Sequence, residues 1–337
     1  MTSLLTSPTP PAEKESRRRV APPGGTDLAF RGLLRIAGLL VLVIMVTVGI
    51  FLLTNGFGAL RKVGWGFLTT QAWQPDSGNF GIAAVITGTV LIAGVALCVA
   101  FPLAFGVALF ISEYAPGGVK RLLVSLVDLM AAVPSVVYGL FGAVFLQWNL
   151  LEVPRWISQR FAWIPLFTVD GYDANDPLST ETVFASSTFF AGLIVGMMVM
   201  PTACSVMRES FSQAPPGERE GAYALGATKW GMIRSVVLPF ARGGMIGGTM
   251  LALGRALGET IAVYMIIAPV FAIQPHILQS GANSVSALIA QQWGAASPFG
   301  LSALMAAGLA LFALTLVVNF GASAIIARSR SGRESEA

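Results

Sequence analysis

Three charged residues inside apolar stretches are the ones whose types and spacing could do chemistry in this 337-residue chain: Asp128, Arg255 and Glu259. Arg255 and Glu259 fall in Gly254-Arg255-Ala256-Leu257-Gly258-Glu259-Thr260, about ten residues inside an apolar run. Each alone would cost about 3 kcal/mol on membrane-insertion scales. Their i, i+4 spacing predicts one helix face on which the two charges neutralise each other, with Gly248, Gly254 and Gly258 leaving that face open to a neighbour or a ligand. A guanidinium there presents planar donors suited to a tetrahedral oxyanion, with Glu259 balancing it when no anion is present. A purely structural ion pair is the alternative. Asp128 begins the string Asp128-Leu129-Met130-Ala131-Ala132-Val133-Pro134-Ser135, where it faces a pathway, snorkels, or caps a helix broken at Pro134 and Ser135.

Other chemistries lack their parts. His276 is the single histidine, so no His-based metal cluster or catalytic triad can be assembled. Cys98 and Cys204 both sit in apolar stretches and read as packing residues. No Gly-x-x-x-x-Gly-Lys-Ser/Thr phosphate loop occurs, so ATP would have to be handled by another chain. Asp170, Asp173, Asn175 and Asp176 suggest calcium, but their spacing does not fit an EF-hand loop and a solvated acidic turn is the better account.

The elements that must position these residues are membrane helices. With 55% hydrophobic and 11% charged residues, the chain reads as a polytopic membrane protein. Six spans are expected: the 21-residue apolar run Leu33–Leu53, then Phe80–Ile111, Leu122–Trp148, Val183–Met207, Gly243–Ile273 and Pro298–Ala327. The first exceeds a signal-peptide core and reads as an uncleaved span. Residues 1–31, rich in Pro and Ser, form a disordered tail; residues 32–79 hold the first span and an outside loop, 80–327 the core, and 328–337 a second tail. Prolines 102 and 201 read as ordinary kinks. In Pro269–Ser297, Leu288, Ile289 and Trp293 recur at helical spacing, as an interfacial or re-entrant helix would.

Sorting the 21 Lys and Arg residues among the loops puts sixteen on one side and four on the other, with Arg255 inside a span. The excess marks the cytoplasmic side, which then holds both termini and the loop 208–240. The basic balance therefore reflects membrane topology, and nucleic acid is not the expected partner. Within that loop, Glu218 to Pro239 is a charged island predicted to fold as a helix–turn–helix. Pro215 and Pro216 start the first helix and Gly226 stops it; Thr228 caps a second short helix, which Pro239 ends. Such an island reads as a docking surface.

Its spacing resembles the signature of membrane subunits of binding-protein-dependent ABC importers: Glu-Ala-Ala, three residues, Gly, nine residues, Ile, any residue, Leu-Pro. Here Glu220-Gly221-Ala222, Gly226, Val236, Leu238 and Pro239 keep every gap, with Gly221 and Val236 departing from the pattern. The resemblance implies a coupling helix inserted into a cleft of an ATP-hydrolysing partner. Ala222 and Gly226 would allow close approach, Leu225 and Trp230 would anchor, and Glu220 would supply charge. The AVPSVVYGLFG and GRALGETIAV strings are similar to those of phosphate-importer permeases of the PstC type, over about Gly81 to Ala327. That implies an all-α membrane protein with the type I ABC importer permease fold and a translocation pathway bearing Arg255, Glu259 and Thr260. It also implies a second permease of the PstA type, two ATP-binding subunits of the PstB type that carry ATP and Mg, and an extracytoplasmic phosphate-binding protein of the PstS type. This chain would then bind no cofactor and perform no bond chemistry. Sulfate and molybdate permeases share the Arg-Ala-Leu-Gly-Glu core and are the nearest alternative. An ion-coupled secondary transporter would need no coupling loop.

Overall fold

A computed structural model describes residues 25–172 and 180–331. Residues 1–24 of the expected tail, the residues Asp173, Asn175 and Asp176, and the last six residues lie outside the described residues. The fold is almost wholly helical, as a chain that must satisfy its own backbone in hydrocarbon requires. Helix α1, Gly25–Val63, spans 39 residues and takes in residues 25–31, so that part of the expected disordered tail is helical, continuous with the apolar run. The chain divides within it, between Val48 and Gly49. In the first unit, Leu33, Ile36, Leu40 and Ile44 are all exposed along the helix.

The second unit contains α2 (Ala83–Leu109), α3 (Gly117–Ala132), α4 (Ser135–Phe141), α5 (Glu152–Arg160) and α6 (Thr188–Ser212). It continues with α7 (Pro216–Ala224), α8 (Lys229–Met232), α9 (Leu238–Leu257), α10 (Ile261–Ile266), α11 (Val285–Gln292) and α12 (Pro298–Ser331). By length and composition five helices of the described residues can cross a membrane, or six if the bent α3–α4 pair is one span.

Its centre is the α2–α6 pair. The reason the two approach so closely is a face of small side chains: Ala96, Ala100, Ala104 and Ala108 recur every fourth residue on α2 and are fully buried. Opposite them, a Cβ added at Gly196 of α6 would lie 2.8 Å from the Ala96 carbonyl oxygen. Without a hydrophobic drive between helices in lipid, such small-residue faces are what let backbones pack. Cys204 is buried in this core while Cys98 is exposed, so the packing reading holds for the first and not for the second. A second core forms where Phe80 of the hairpin β1–β2 (Trp73–Gln74 and Asn79–Phe80) meets Phe67, Trp73 and Phe299 edge-on. Helix α11 closes it with Val285 and Leu288 fully buried, which speaks against the interfacial reading of this segment and is compatible with the re-entrant one.

The break expected at Pro134 and Ser135 is present: within Leu122–Trp148, α3 and α4 meet at 89° across Val133 and Pro134. Proline at 134 has no N–H for the Met130 carbonyl. That oxygen instead accepts from the Val133 N–H at 3.3 Å and the Tyr138 hydroxyl at 3.1 Å, which ties the two arms together. Gly139 and Gly142 of the second arm then allow contact with α10 and α6: an added Cβ would lie 2.8 Å from Ala262 Cα and 2.7 Å from Ile194 Cγ1. The segment Gly243–Ile273 is likewise not one helix. Its helix begins at Lys229 and ends at Leu257, after which Gly258, Glu259 and Thr260 separate α9 from α10. Pro239 does not end the island's second helix. A π-helical turn, Ile233–Val237, carries α8 into α9 and leaves Pro239 in the first turn of α9, where its ring is tolerated.

Candidate functional site

Around the α9–α10 break the polar groups of three other elements converge. Arg255 lies in the last turn of α9, exposed, and its Nη1 donates to Thr202 Oγ1 of α6 at 3.4 Å. It is also within electrostatic reach of Tyr138 on α4, the side chain that ties the α3–α4 bend. Glu259 is half-buried, and its Oε1 accepts from the Ala262 N–H at 3.1 Å, so the carboxylate caps α10. Its carbonyl accepts from the Ser286 hydroxyl of α11 at 2.6 Å. Thr260, half-buried, donates from Oγ1 to the Gly258 carbonyl at 3.2 Å and thereby closes the turn on itself.

This corrects the reading of Arg255 and Glu259 as a neutralising pair on one helix face. The helix stops between them, and no ion pair joins them among the described residues. The physical reason is local: once Gly258 ends α9, the free N–H groups at the start of α10 are the nearest donors, and a carboxylate at a helix N-terminus is favoured there. Arg255 is left with a hydroxyl and an aromatic neighbour, and with no carboxylate among the described residues.

No hydrogen bond or ion pair joins Asp128 to these groups among the described residues. It is exposed on α3 and not at its end, so it does not cap the Pro134 break; Pro134 itself is the residue preceding α4, and Ser135 is the first residue of that helix. Asp128 and Arg208 both act electrostatically on Cys204 of α6. Arg208, assigned to the loop by sequence, is a helical residue of α6 whose Nη1 is buried without a hydrogen-bond partner among the described residues.

The island folds as a compact mount. Helix α7 starts at Pro216, with Glu218 in its first turn. Its end is a Schellman turn: the Gly226 N–H donates to the Tyr223 carbonyl at 2.9 Å and the Ala227 N–H to Ala222 at 3.0 Å. Gly226 has φ +85°, which only glycine adopts without strain. Thr228 then caps α8, its hydroxyl accepting from the Gly231 N–H at 3.1 Å. Glu220 and Gly221 are exposed, Ala222 and Leu238 are half-buried against the core, and Pro239 is exposed. Leu225 is 91% exposed, with Tyr223 and Trp230 exposed beside it, an apolar tip on a charged helix.

Sequence reasoning missed how the island is held. Arg219 forms an ion pair with Glu113 at 3.0 Å, in the π-helical turn Phe110–Tyr114 that ends α2. Lys229 lies 4.5 Å from the centroid of the Tyr114 ring. Glu113 was the visible signal: a carboxylate closing an apolar run of about thirty residues needs a partner. On the opposite loop, Asp170 meets His276 at 3.3 Å, so it is an imidazole contact.

Residues 100–331 match the family model described as the binding-protein-dependent transport system inner membrane component. The chain is 34% identical to the phosphate transport system permease protein PstC of Haemophilus influenzae, over 86% of this chain and 89% of that one. It is 35% identical to the permease protein PstC 2 of Mycobacterium tuberculosis, over 86% and 88%. Among solved structures, a bacterial ABC transporter that imports the acidic polysaccharide alginate matches with TM-score 0.56 at 18% identity, covering 90% of this chain and 98% of that one. The inward-facing MetNI methionine ABC transporter matches with TM-score 0.52 at 14% identity, over 74% and 95%.

Proposed function

Since the chain belongs to the family of binding-protein-dependent transport system inner membrane components, we propose that it is the membrane-spanning subunit of an ATP-driven phosphate importer. The observation that carries this reading is Arg255, an exposed guanidinium near the end of an apolar helix, without a carboxylate partner among the described residues, in a chain that matches phosphate permeases along most of its length. An arginine within a span is costly, and a hydroxyl alone does not offset its charge. A tetrahedral anion does, through two parallel N–H donors.

The chain's own residues divide the work. Arg255 contacts the anion; Thr202 orients the guanidinium; Glu259 caps α10 and so keeps the α9–α10 break open beside it. Thr260 and Ser286 hold the backbone of that break. The apolar tip of α7 at Leu225, with Trp230, enters a cleft of an ATP-hydrolysing subunit, two copies of which bind ATP and Mg. A second, similar permease completes the pathway, and an extracytoplasmic phosphate-binding protein delivers the ion. Cycles of ATP binding and hydrolysis shift the pair between outward-open and inward-open states.

The decisive experiment is ATP-dependent uptake of labelled phosphate by the complex in proteoliposomes. Arg255→Gln is expected to remove at least about 90% of uptake, in keeping with the loss of a charge-assisted contact worth about 1.5–3 kcal/mol. Retained uptake would overturn the role of Arg255. Competition by sulfate or molybdate as strong as by unlabelled phosphate would overturn the choice of substrate.

A further inference from the structure

We propose that Arg219 is a positioning residue that carries the movement of α7 to α2 and α6, an inference that rests on α7 being the docking helix. Its guanidinium holds three elements at once. Nη1 donates to Glu113 Oε2 of the π-turn at 3.0 Å, Nη2 to the Phe211 carbonyl near the end of α6 at 2.6 Å, and Nε to the Ala214 carbonyl just beyond at 3.2 Å. The Phe211 carbonyl belongs to the last turn of α6, the negative end of a long helix, where a cation is favoured.

Burial makes the mount stiff. The Glu113 side chain is 3% exposed and Arg219 22%. Glu113 also accepts from Ser112 Oγ at 2.9 Å. A planar fork with several partners has less freedom than an exposed pair, and removing one member leaves the other charge buried and uncompensated. The neighbouring residue of the same π-turn, Tyr114, receives Lys229 from α8. The two halves of the island are thus tied to consecutive residues at the end of α2, while the tip at Leu225 stays exposed.

The consequence is mechanical. A partner that pushes on Leu225 and Trp230 displaces α7, and α7 cannot move without dragging the end of α2 and the last turn of α6. Helix α6 carries Thr202, which orients Arg255. Coupling between distant sites is carried by contiguous contacts of this kind, and it is demonstrated only by measurement.

The test uses the whole complex in proteoliposomes with the phosphate-binding protein, comparing wild type with R219K, R219Q, E113Q and the E113Q/R219Q double variant. Phosphate taken up per ATP hydrolysed is expected to fall about fivefold or more in R219Q and E113Q, with the ATPase subunits still co-purifying. The double variant is expected to be no worse than the worse single one, because the two side chains act through each other, and R219K should recover part of the ratio. An unchanged ratio, additive losses, or loss of the ATPase subunits from the variants would overturn the proposal. Absence of phosphate uptake by the wild-type complex would instead overturn the functional reading. An ATP-dependent change in the thiol reactivity of Cys204 on α6, in a Cys98→Ala background, would then still decide on Arg219, being retained in R219Q if the proposal is wrong.

Discussion

Glu259 and Arg255 stand four residues apart, and on an unbroken helix their charges would cancel; the intervening Gly258 ends the helix and gives each a separate task. The carboxylate caps α10 through the Ala262 N–H. This arrangement separates two substitutions that an ion pair would not. Glu259→Gln keeps an acceptor for that N–H and should leave the thermal unfolding midpoint close to wild type. Glu259→Ala should lower stability by about 1 kcal/mol, the usual loss of a cap. Equal losses in both would indicate that the charge itself is needed. The residue types at 255 and 259 were legible as intramembrane charges. Their division of labour was not, because the Ser286 hydroxyl that anchors the break comes from 27 residues away.

At the scale of elements, the island was the most legible part of the chain, since its helix start, stop and cap are set by neighbours in sequence. Pro216, Gly226 and Thr228 all take the places that their backbone chemistry requires. Gly226→Ala is expected to cost about 1–2 kcal/mol for a non-glycine residue held at positive φ, and to reduce recovery of the ATPase subunits in a pull-down at physiological temperature. Recovery equal to wild type would show that the turn is not needed for docking. Pro239 was misread because proline's rule for helix interiors assumes an α-helical register. The π-turn Ile233–Val237 changes that register, and nothing in local composition announces it. The opposite holds at Pro134, where proline does break the span and Tyr138 takes up the carbonyl it leaves.

For the whole molecule, the asymmetry of Lys and Arg predicts that α7 faces the cytoplasm and the β1–β2 hairpin the outside. In a background with Cys98 and Cys204 replaced by alanine, Ser77→Cys should react with an impermeant thiol reagent in intact cells. Gly217→Cys should react only after the membrane is opened, and the reverse pattern would invert the topology. The sequence by itself determined that the chain lives in a membrane, how many spans to expect, the start, stop and cap in the island at Pro216, Gly226 and Thr228, and the family, because hydropathy, capping and motif spacing are local properties. Only the tertiary structure decided that the break at Pro134 is a bend of 89°, that Arg219 is clamped to Glu113, and that Arg255 meets a hydroxyl in place of a carboxylate. Each of those depends on which distant hydroxyl, carbonyl or small-residue face comes near, and that is settled by packing between helices rather than along them.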